Sequence, residues 1–159
     1  MAMKKRTVFL LLFCFLFSLC SCTSAKPSAP LRETMAVVYA AVIDPHDDGF
    51  LQEYSENEII ENVPVAASLY TEAVAYASPL PSRGSVFMGF IPAKGRKDDL
   101  IAELKEAQKA AIASFDGYLP DQLQIAQNAV TVEKGGYLFF LMTEDNVAVE
   151  QALDELLEK

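Results

Sequence analysis

Residues 130–143 read VTVEKGGYLFFLMT, and this stretch decides the fold class. Val130, Thr131 and Val132 favour an extended chain, and Gly135-Gly136 supplies the positive φ angles of a tight hairpin turn. The segment therefore predicts strand, turn, strand. From Tyr137 to Met142 both faces of the second strand are apolar, so it belongs inside a sheet with cover on either side. Downstream, residues 145–158 predict an acidic helix that buries Val149, Leu153 and Leu156. Upstream, Pro120 suits the first turn of a short helix. A longer helix precedes it, with Asp98 and Asp99 at its positive end. Its apolar face is Leu100, Ile101, Leu104, Ala107, Ala111 and Phe115, and Gly117 is its C-terminal cap.

Further upstream, Ser85 to Ile91 is apolar and β-prone and ends at Pro92, which predicts a buried strand behind the loop PLPSRG. Residues 65–77 are ambiguous. Val65, Leu69 and Tyr76 fit a helix, Val74 and Tyr76 alternate as in a strand, and a strand is favoured over the later half. Ser55 and Glu58 form a capping-box pattern ahead of a helix at 56–62, and DPHDDG at 44–49 is turn chemistry. Leu31, Met35, Val38 and Val42 predict a helix over 31–43. This order gives one α+β domain over residues 31–159, a small, mostly antiparallel sheet packed by helices.

Ahead of the domain, Lys4, Lys5 and Arg6 precede an apolar run from Val8 to Phe17, the order of a signal peptide. The run meets Ser18 after about half the length a membrane-spanning helix needs. Leu19-Cys20-Ser21-Cys22 resembles the bacterial lipobox, which implies removal of residues 1–21 and a diacylglyceryl group on Cys22. Residues 22–30 then form a lipidated cysteine and a flexible tether, TSAKPSAP, leading to the domain. The expected location is the outer face of the cell membrane, with lipid on Cys22 as the membrane partner. Cys14 and Cys20 leave with the signal peptide, so no disulfide or thiol site is expected. Loss of Lys4, Lys5 and Arg6 takes the formal charge from −9 to −12. Such a surface repels nucleic acid.

The outline of strand, amphipathic helix, FDGYLPDQLQIAQNAV and VEKGGYLFFLMTED resembles a family of small lipoproteins of unknown function found in Gram-positive anaerobes. The matching residues are Tyr118, Pro120, Gln122, Gly135, Gly136 and Tyr137, within a likeness that covers residues 56–158. The chain departs from that outline at 65–77 and in the PLPSRG loop. The resemblance implies a lipoprotein on the outer face of a single membrane and carries over no activity and no ligand residues.

Candidate chemistry is sparse. Asp44, His46, Asp47 and Asp48 could offer oxygen ligands to calcium, but FLQEYSENE does not supply the distal Glu of an EF-hand loop, and a solvated turn is the simpler reading. His46 is the single histidine, with no serine-hydrolase or zinc-protease motif to partner it. Asp98/Asp99, Glu144/Asp145 and Asp154/Glu155 are adjacent carboxylates that point apart on a helix surface. Tyr118 and Pro120 can stack on a sugar or peptide, or merely finish one helix and start the next. Gln122 joins them through the matched element. Arg83, Lys94, Arg96 and Lys97 form a basic cluster in the loops flanking the 85–91 strand, suited to an anionic wall polymer or an acidic partner, or to keeping a strand edge soluble. The expectation is a non-enzymatic binding domain for an envelope protein or cell-wall component, using Tyr118, Pro120, Gln122, Arg83, Arg96 and Lys97, with no cofactor and no metal. The alternative is a cell-wall hydrolase using paired carboxylates, for which a concave pocket with converging carboxylates would speak.

Overall fold

The computed structural model describes residues 29–43 and 51–157. The chain runs through α1 (Leu31–Val38), a π-helical turn (Tyr39–Ile43), β1 (Gln52–Glu53), α2 (Glu56–Asn62), a 3-10 turn (Ala67–Leu69) and β2 (Tyr70–Ala77). It continues through β3 (Val86–Pro92), α3 (Lys97–Phe115), α4 (Pro120–Gln127), β4 (Val130–Lys134), β5 (Tyr137–Met142) and α5 (Asn146–Leu157). The strands form one antiparallel sheet in the order β1-β2-β3-β5-β4. The α+β expectation holds.

The β4–β5 hairpin closes with Lys134 opposite Tyr137 and with φ of 58° at Gly135 and 84° at Gly136. Side chains disfavour both angles, which is why the turn is glycine. β5 returns between β3 and β4, so β3 and β4 run parallel to each other across it, joined by α3 and α4. Every side chain of β5 is buried. An interior strand with helices on both sides explains that continuous apolar run.

Two cores separate the layers. On one face Ala75, Ala77, Val86, Met88, Phe90, Leu138 and Phe140 pack against Ile59 of α2, Leu100, Leu104 and Phe115 of α3, and Ala126 of α4. On the other, Val74, Tyr76, Phe87, Phe139 and Leu141 meet Leu31, Met35 and Val38 of α1 and Val149, Leu153 and Leu157 of α5. This second core carries a ladder of rings, Tyr39 on Tyr76 at 4.4 Å, Tyr76 near Phe87 at 6.2 Å and Phe87 near Phe139 at 6.3 Å. α1 approaches closely over Gly89, where an added Cβ would stand 2.4 Å from the Met35 sulfur and 2.9 Å from Leu31 Cδ1.

Several expectations are corrected in detail. The first helix buries Ile43 rather than Val42, because the π turn adds a residue between Val38 and the next core position. The last helix buries Leu157, and Leu156 is exposed, since the drift of 3.6 residues per turn carries the stripe one place on from Leu153. Residues 65–77 resolve into the 3-10 turn and the eight-residue β2. β1 had no counterpart in the sequence reading. The segments expected as signal peptide, lipidated Cys22 and tether up to residue 28, and the segment DPHDDG with His46 expected as a turn, lie outside the described residues. Among the described residues no helix is long and apolar enough to cross a membrane.

Candidate functional site

α3 ends at Phe115, Gly117 takes φ of 71°, and Pro120 opens α4 as its first residue. This helix-end grammar puts Gln122 one turn into α4, facing inward. Its buried side-chain oxygen accepts the Gly84 N–H at 2.8 Å. Gly84 also lies against the Phe115 ring, where a Cβ would come within 2.5 Å of Cε2. The loop between β2 and β3 is thus pinned to the start of α4, and Arg83 is carried over that helix.

The far wall is built after β5. The Asn146 carboxamide oxygen accepts the Thr143 N–H at 2.9 Å and the Thr143 hydroxyl at 2.8 Å, while its nitrogen donates to the Asn128 carbonyl at 2.8 Å. Between these walls lies a recess of about 510 Å³ lined by Arg83, Asp121, Gln124, Asn128, Thr143 and Glu144. Among the described residues Arg83 makes no ion pair. A guanidinium, two carboxamides and the exposed carboxylates of Asp121 and Glu144 can meet a ligand that carries both signs of charge and many hydrogen-bonding groups.

The structure unites only some of the residues picked out from sequence. Arg83 and Gln122 both line the recess, and the Gln122 carboxamide oxygen also holds the Gly84 N–H. Tyr118 is 75% exposed in the link between α3 and α4, and Pro120 is exposed at the start of α4. Arg96 pairs with Asp99 at 2.7 Å, and Lys97 with Glu133 at 2.7 Å. The Glu133 carboxylate raises the Lys97 pKa, through its hydrogen bond first and its charge second. Arg83 precedes β3 and the other three cations follow it, so about 20 Å of strand separates them. They form two places, and the cluster seen in sequence dissolves.

The adjacent carboxylates divide likewise. Asp99 pairs with Arg96, Asp145 accepts the Ala148 N–H at 2.9 Å at the head of α5, and Asp154 pairs with Lys134. Asp121 and Glu144, which share the recess beside Arg83, come from different elements, so no local spacing could have paired them. Glu144 and its neighbour Asp145 both border an apolar cavity of about 330 Å³ lined by Val42, Ile43, Leu51, Ala148 and Val149. Among the described residues no group of three or more His, Cys, Asp or Glu side chains could hold a metal ion.

Compared with known proteins, residues 45–143 match a family model described as Domain of unknown function (DUF4358). The matched segment takes in the whole sheet and the recess as far as Thr143. No curated protein and no solved structure matches the chain.

Proposed function

We propose that this chain, which belongs to the DUF4358 family, is a lipid-anchored extracytoplasmic domain that binds an envelope protein or cell-wall component at the recess beside Arg83. The observation that carries this reading is the recess itself, where a guanidinium with no ion pair among the described residues stands among carboxamides and carboxylates. Its position supports the same reading. The Tyr137 hydroxyl donates to the Ala29 carbonyl, so the chain arrives from its N-terminal side at the start of β5. The recess lies past the other end of β5, about 17 Å further along the strand direction. With lipid on Cys22, the residues up to Ala29 span at most about 25 Å when extended. The hairpin end is then held near the bilayer and the recess faces outward.

The ligand class that fits is a peptide or amino-sugar polymer bearing amides and charges of both signs. The test uses the mature chain and purified cell-wall sacculi in a pull-down, with fractionation of cells alongside. Arg83→Ala together with Asn128→Ala should lower wall retention about tenfold, the effect of losing one charge-assisted contact. Cys22→Ala should move the protein from the membrane to the soluble fraction. Unchanged retention removes the recess from the reading, and a Cys22 variant that stays on the membrane removes the anchor.

A hydrolase is the second reading, and one observation favours it: Asp121 and Glu144 line the same concavity. Glycoside hydrolysis places one of its two carboxyls in surroundings that keep it protonated, usually apolar ones, whereas both of these are exposed to solvent. Release of wall fragments by the parent, abolished by Asp121→Asn or Glu144→Gln, would establish catalysis and displace simple binding.

A further inference from the structure

β1 is much shorter than the strand it joins. It pairs only Gln52 with Ala77 and Glu53 with Tyr76, after which Tyr54 donates its N–H to the Ala75 carbonyl at 2.8 Å. The chain then leaves the sheet through the Ser55 cap into α2. β2 continues back to Tyr70, so among the described residues no strand lies along its outer edge from Val74 to Tyr70. Main-chain groups alternate sides along an antiparallel strand. Since Ala75 turns its carbonyl toward β1, Ala73, two residues earlier, presents its N–H and C=O to the open side.

A slot of about 410 Å³ runs along this edge, with α2 on one side and Arg32 of α1 on the other, lined by Glu56, Ile60, Thr71, Glu72 and Ala73. Three further observations give it a chemistry. Ile60 is 58% exposed, a large apolar side chain left uncovered. Tyr70 lines the same slot, and its hydroxyl is buried with no hydrogen-bond partner among the described residues. Arg32 is already paired with Glu53, which leaves the exposed carboxylates of Glu56 and Glu72 to set the charge.

We propose that this edge accepts a strand from another protein: an extended segment that hydrogen-bonds to β2 at Ala73, lays an apolar side chain on Ile60 and directs a Lys or Arg toward Glu56 and Glu72. Strand addition of this kind takes its affinity from main-chain hydrogen bonds and its specificity from alternate side chains. The opposite sheet edge is less suited, because the Lys97–Glu133 pair sits on β4 and charged side chains blunt an edge. A second copy of this chain is also disfavoured, since two-fold pairing about this edge would bring acidic residues against each other. The site is separate from the recess beside Arg83, so either can fail alone.

The probe is a capped hexapeptide alternating lysine and valine, titrated into the mature chain while main-chain amide signals are followed by NMR. Saturable binding is expected, with the largest shift at the Ala73 amide and about tenfold weakening when the peptide's alternate amides are N-methylated. Ala73→Pro removes the outward donor and should weaken binding by a similar factor. Ile60→Lys should do the same, and serves if the proline variant does not fold. A glutamate-valine peptide should not bind. The proposal is overturned by absence of saturable binding at millimolar peptide, by equal binding of the N-methylated peptide, or by a concentration-dependent dimer in which the Ala73 amide is protected.

Discussion

Gly89 sets the distance between α1 and the sheet, because its missing side chain is where Met35 and Leu31 seat. Gly89→Ala puts a methyl against the Met35 sulfur and Leu31 Cδ1, and both side chains, fully buried, must then shift. Overpacking of this kind costs about 1–3 kcal/mol, which should appear as a lower urea midpoint with an unchanged slope. A second prediction concerns the Ser55 cap. The Ser55 hydroxyl and N–H both donate to Glu58, at 2.6 and 2.7 Å, and hold its carboxyl below the ordinary value of 4.5. A carboxyl with a depressed folded pKa stabilises the fold above its unfolded pKa, and that contribution is lost as pH falls through the folded one. The parent should therefore exceed Glu58→Gln in urea midpoint at neutral pH, and the gap should close in acid. A gap independent of pH would contradict the assignment. The cap was legible in the sequence because its partners are three residues apart. Gly89, and the Gln122 bond to Gly84, were not, because their partners lie far away along the chain.

Elements show the same division between local and distant causes. The β4–β5 hairpin, α3 and α5 were legible from turn residues and periodicity, since each carries its own signal. β1 was not, because two residues become a strand only when β2 offers its edge. Residues 65–77 looked ambiguous for a physical reason, since the 3-10 turn supplies helix-like spacing just before true alternation begins. The π turn after α1 gives an element-scale prediction. It lets Val38 and Ile43 share one buried face although they stand five apart. Deleting the exposed Ala40 restores an α-helical spacing of four and should leave stability within about 1 kcal/mol. Deleting the exposed Ala36 instead rotates Val38 and Ile43 out of register with Leu31 and Met35, at a cost of about 2–5 kcal/mol, as for loss of a large core side chain. Far-UV circular dichroism with urea titration separates the two. Equal effects would show that the π turn plays no part in register.

Across the whole molecule, three layers meet at a sheet with apolar side chains on both faces, and the α+β class was readable because β5 announced burial on both sides. The recess was only half readable. Arg83 and Gln122 were singled out as binding residues and Glu144 only as half of an adjacent pair, whereas Asn128 ends the helix that carries Gln122. Thr143 and Glu144 come to them through the return of β5, a matter of topology rather than motif. The family match ends at Thr143 and begins after the π turn, so α1 and α5, which cover the second core, lie outside it. Those two flanking helices close the face that the matched segment leaves open. The contact between Tyr137 and Ala29 bears on mechanics. A pull transmitted along the N-terminal chain reaches the interior strand of the sheet through one hydroxyl as well as α1, so the load is shared with a strand held by a neighbour on either side and buried along its whole length.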